Sequence, residues 1–88
     1  MRWKDNVQII KEQCMWVVMD NEKKQVEEDD RQIISLMEDG ISDDCELVKR
    51  VMADLGWDEI YADIKMAEFV EKYGHFLAEG QRNKIFSI

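Results

Sequence analysis

The sequence predicts an all-α domain, a small bundle of about four helices, and three observations carry that expectation. The chain has no proline and only 4 glycines in 88 residues, so it offers few obligatory turns and suits a few long elements. Trp3, Val7, Ile10, Cys14 and Val17 recur at +4, +3, +4 and +3, the seam of a helix packed on another helix. Gly40, Gly56 and Gly74 each follow a stretch of helical apolar spacing and close it.

The first helix is predicted over about 4–20. At 100° per residue its seam residues fall within an arc of about 80°, with Ile9 and Trp16 on the other side. A competing reading occupies the same ground. Cys14-Met15-Trp16-Val17-Val18-Met19 has the Val and Trp content of a buried strand; turning at Asp20-Asn21, it would make a hairpin over 14–26 and an α+β fold. The unbroken seam favours the helix.

The second helix is predicted over about 22–38, with Val26, Ile33, Ile34 and Met37 inward, Glu27 to Asp30 outward, and Asp39-Gly40 as its stop. The third starts at a Ser42 or Asp43 cap, where Asp43 and Glu46 have capping-box spacing. Its face is Leu47, Val48, Val51, Met52 and Leu55; Gly56 ends it and Trp57 folds back on Met52. Asp58 caps the fourth, over about 59–73. This helix carries two apolar stripes, Ile60, Ile64 and Ala67 on one side and Met66, Phe69, Val70 and Tyr73 on another. Such a helix is central in its bundle or lies between the core and a partner. After Gly80 the tail, 81–88, is basic and then apolar, and is expected to dock as an edge strand or hang free.

One domain is expected over 1–88, since folding at this length buries roughly 60–65% of the unfolded chain's surface and leaves no room for a second core. The first residues lack the apolar stretch of a secretory signal. The longest apolar run, 14–19, is far shorter than the roughly 20 residues a bilayer needs. Cys14 and Cys45 read as two buried thiols in a reducing compartment, with a single disulfide between them as the alternative. A cytoplasmic protein without membrane contact is the expectation.

The net charge is −8, and its distribution says more than its size. Between 20 and 46 stand 11 acids against three bases, Lys23, Lys24 and Arg31; elsewhere nine acids cancel nine bases. All of the net charge lies in one internal segment. Direct nucleic-acid binding needs a basic surface, and the sequence displays none. A helix-turn-helix drawn from Leu47 to Tyr73 would present Asp58, Glu59, Asp63, Glu68 and Glu71 to the phosphates against Lys65 and Lys72 alone.

Catalytic chemistry is thin. His75 is the only histidine, and a general base needs an orienting carboxylate and a nucleophile close by. No CxxC or histidine cluster marks a zinc site. With Gly40 at position 6 of a calcium loop, Asp39 and Glu46 fit positions 5 and 12, but Ser35 and Met37 stand where carboxylates belong. No catalytic residue, metal or cofactor is expected.

What remains is surface. Glu27, Glu28, Asp29 and Asp30 form an acidic face whose field would steer a basic partner. Ile9, Trp16 and Met19 form a second apolar stripe on the first helix, with the aromatic and Met content of an interface hot spot. In size, acidity and lack of catalytic chemistry the chain resembles, by composition, phage-encoded inhibitors of host or defence proteins, anti-CRISPR proteins among them; acidic immunity proteins and antitoxins are similar. That resemblance implies a non-enzymatic inhibitor or adaptor that blocks a basic, nucleic-acid-binding surface of a protein partner. The alternative is a helical homo-oligomer that buries its second stripes against itself, as a structural element or to sequester a small ligand.

Overall fold

Residues 7–25, where the helical seam lies, form a three-stranded antiparallel meander in the computed structural model, which describes residues 1–78. Strands β1 (Val7–Lys11), β2 (Met15–Met19) and β3 (Glu22–Gln25) are ordered β1-β2-β3. The fold is therefore α+β, and the four-helix, all-α expectation is overturned. Val7 pairs with Met19 and Ile10 with Trp16 across the first hairpin, and Met19 with Glu22 across the second.

The seam fails for a definite reason. Val7, Ile9, Met15, Val17 and Met19 alternate at period two, so the pleat sends them to one side, where they join the core. Ile10 belongs to the opposite face and Cys14 lies in the β1–β2 turn, so the five residues spaced +4 and +3 do not form one continuous surface. Five β-branched residues, Val7, Ile9, Ile10, Val17 and Val18, favour the extended backbone. Asp20-Asn21 makes the second turn as the hairpin reading required, with Asp20 at φ 53°, a left-handed conformation that Asp and Asn tolerate.

The second predicted helix shrinks to α1 (Arg31–Glu38). Its first residues are taken by β3, and a short 3-10 turn at Glu28–Asp30 follows. The third and fourth helices stand as expected, as α2 (Asp44–Leu55) and α3 (Glu59–Tyr73). Asp43 accepts the Glu46 N–H at 3.1 Å and Asp58 the Tyr61 N–H at 2.8 Å, so both caps hold. Gly40 and Gly56 end α1 and α2 at φ 98° and 70°, while Gly74 keeps a right-handed φ of −56° and continues into a 3-10 turn.

The inner face of the sheet packs on the helices. Val17, Ile33, Ile34, Leu47, Phe69 and Tyr73 are inaccessible at its centre. The N-terminal segment runs beside the residues after α3: Trp3 bridges Leu77, the Lys4 N–H donates to the Phe76 carbonyl at 2.9 Å, and the Ala78 N–H donates to the Arg2 carbonyl at 3.1 Å. Trp3 thereby packs tilted against Phe69 and edge-on to Tyr73, with ring centroids 6.0 and 6.4 Å away. Both thiols are free, but Cys14 is only half-buried and Cys45 is exposed, against the expected burial. No helix among the described residues is long and apolar enough to cross a membrane. The tail at 81–88 lies outside the described residues.

Candidate functional site

The acidic run 27–30 is not one exposed helix face. Asp30 is wholly buried, and its Oδ2 accepts the Tyr73 hydroxyl at 2.9 Å and Lys72 Nζ at 2.8 Å. Lys72 also reaches Glu27 at 3.0 Å, and Lys65 reaches Asp29 at 3.3 Å. The backbone N–H of Glu27 donates to the Tyr73 oxygen at 3.4 Å. This stretch therefore clasps α3, with Glu27, Glu28 and Asp29 still at the surface and Asp30 inside it.

The clasp sets the protonation of its own members. Burial raises the Tyr73 phenol above its usual pKa and the hydrogen bond to Asp30 raises it further. Burial works to lower Lys72, but hydrogen bonds and attraction to Asp30 and Glu27 outweigh it and hold the ammonium above its ordinary value.

The predicted apolar stripe is divided by the sheet. Ile9 and Met19 face the core, Met19 within it. Trp16 is half-buried on the outer face, beside Ile10 in register, with Lys23 Nζ 4.3 Å from its ring centroid. The two surfaces therefore hold one aromatic candidate, Trp16, apart from the other two residues.

A different surface gathers apolar side chains in the open. Ile60 is 75% exposed, Ile64 52%, Tyr61 43% and Leu55 42%. Trp57 stacks edge-on against Tyr61, with centroids 5.2 Å apart. Ile60, Tyr61 and Ile64 stand at i, i+1 and i+4 on the outside of α3, and Trp57, half-buried against the core just before the helix, borders them. The opposite side, Ala62, Met66, Phe69, Val70 and Tyr73, is buried. The stripe of Ile60, Ile64 and Ala67 was visible in the spacing; the exposure of Tyr61 and Leu55 was not. Nothing local distinguishes Leu55 from the inward-facing Val51 one turn earlier.

Other chemistry is sparse. His75 is exposed, with Nε2 2.7 Å from Glu22 Oε1. An open depression of about 140 Å³ lies between the β1–β2 turn and Arg31. Among the described residues no three His, Cys, Asp or Glu side chains are grouped to hold a metal. Comparison with protein-family models, with curated proteins and with solved structures finds no match to this chain.

Proposed function

We propose that this chain is a non-enzymatic protein-binding inhibitor or adaptor, whose acidic, apolar-centred surface occupies a basic, nucleic-acid-binding surface of a partner protein. The exposed stripe Ile60, Tyr61 and Ile64, bordered by the half-buried Trp57, carries this reading. Scattered apolar residues are ordinary at a protein surface, but a contiguous, aromatic-containing stripe on one helix is the make-up of an interface centre. The surplus of acids supports a basic partner, since complementary fields speed encounter and exclude wrong partners. Inhibition of a defence protein, including anti-CRISPR activity, and action as an immunity protein or antitoxin are settings in which such a surface would serve.

Affinity capture from the native host tests the reading. The expected result is a partner retained by the native chain, released by salt, and lost with Ile60→Ser/Ile64→Ser. The charge contribution is tested by Glu27→Lys/Glu28→Lys/Asp29→Lys, which leaves the buried Asp30 intact and should slow association. A chain that runs in solution as an oligomer insensitive to salt, with no captured protein, overturns the reading in favour of self-assembly.

A further inference from the structure

We infer that the outer face of α3 is the seat of an amphipathic helix of a partner protein, one whose apolar ridge is flanked by Lys or Arg. This deepens the protein-binding reading and rests on it. Ile60 and Ile64 form an i, i+4 row that projects from α3 opposite the buried Ala62, Met66 and Phe69. A row of that spacing interdigitates with the matching row of another helix. A strand could not use it, because strand addition draws on free backbone donors and acceptors, which a helix keeps for itself.

The rim of the Ile60–Ile64 row is mostly acidic. At 100° per residue, Glu59 and Asp63 flank it on one side and Glu68 on the other, with Glu71 beyond Ile64. None of these four carboxylates meets a base among the described residues. The lysines of α3 are engaged by the acidic run: Lys65, whose Nζ lies 5.9 Å from the Tyr61 ring centroid at the edge of the stripe, pairs with Asp29, and Lys72 pairs with Glu27 and Asp30. The clasp thus ties up both lysines of α3 and leaves the surface around Ile60 and Ile64 with acids in excess. A second copy of this chain would set carboxylates against carboxylates, a destabilising match along a helix pair. Nucleic acid and anionic lipid are repelled in the same way. A helix with basic flanks meets both demands, apolar centre and acidic rim.

The probe is a labelled synthetic Leu/Lys amphipathic helix of about 18 residues, five turns, with a Leu/Glu helix of the same pattern as control. Each is titrated onto the full chain by fluorescence polarisation. The Leu/Lys helix should bind and the Leu/Glu helix should not. Ile60→Ser/Ile64→Ser keeps the net charge and should weaken binding at least about tenfold, whereas Glu12→Gln, at an exposed position in the β1–β2 turn, should change it less than about threefold. Both isoleucines are exposed, so the melting temperature should hold; Ile60→Lys, at the more exposed position, is the second variant and should also lose the Leu/Lys helix. Binding that is absent, or that survives both variants, overturns the inference. So does a native dimer that the Ser variant dissolves, which would give the stripe to a second copy. A captured partner that persists while the peptide fails removes only the helix and leaves the protein-binding reading standing.

Discussion

The Tyr73 hydroxyl donates a 2.9 Å hydrogen bond to the buried carboxylate of Asp30, 43 residues earlier in the chain. The last turn of α3 is thereby fastened to the turn that leads into α1. Lys72 Nζ, at 2.8 Å, adds charge to the same oxygen, and the other carboxylate oxygen, Oδ1, is buried with no partner. Asp30→Ala would leave the phenol proton without an acceptor inside the core and Lys72 with Glu27 alone. Because Lys72 is partly open to solvent, the loss should fall below that of a fully buried ion pair, at about 2–3 kcal/mol. Denaturant unfolding measures it. Asp30→Asn, which keeps an acceptor for Tyr73, should cost less than the alanine variant.

Alkaline pH should loosen the same clasp. Burial and the Asp30 hydrogen bond raise the folded pKa of Tyr73 above its ordinary 10.0, and hydrogen bonds to Asp30 and Glu27 raise Lys72, against its own burial, above 10.5. Both groups stay protonated longer in the folded chain than in the unfolded one. Their stabilisation is therefore complete below those unfolded values and is lost as pH rises beyond them. Melting temperature should begin to fall above about pH 10. Tyr73→Phe should start from a lower value and fall less steeply; an equal slope would show that the phenol contributes nothing to the pH dependence.

Trp16→Ala should leave the chain folded. The ring lies half-buried on the outer face of the sheet, paired across strands with Ile10 and Gln25 and capped by Lys23. A cross-strand pair and a surface cation–π contact together amount to about 1–2 kcal/mol. A core tryptophan would cost about 3–5 kcal/mol. Urea titration separates the two, and a loss in the upper range would place the indole in the core.

Gly56→Ala should cost about 1 kcal/mol, all of it conformational. Gly56 ends α2 at φ 70°, and a Cβ added there meets no atom within 4 Å. Asn, which tolerates the left-handed region, should recover part of the loss. Thermal unfolding of the two variants checks the order, and an alanine variant as stable as the native chain would refute the strain.

The sequence by itself determined α2 and α3, because the signals that make them are local. Asp43 and Asp58 lie three residues from the N–H groups they cap, Gly56 follows directly on the helix it ends, and the inward faces recur within single turns. The open stripe at Ile60 and Ile64 was legible for the same reason, as a second apolar face on a helix that already had one. Between 4 and 25 the local signals conflict. Val7, Ile10, Cys14 and Val17 fit a helical seam, while Val7, Ile9, Met15, Val17 and Met19 fit a pleat, and within the segment alone the unbroken seam favours the helix. The tertiary structure decided between them, because only strand pairing satisfies the backbone of β1, β2 and β3 while sending Val17 and Met19 into one core. It decided Asp30 as well. Nothing in Glu27-Glu28-Asp29-Asp30 distinguishes the fourth acid from the other three. Its partners are Lys72 and Tyr73, brought to it only when α3 packs, and a buried carboxylate is tolerated only where such partners meet it.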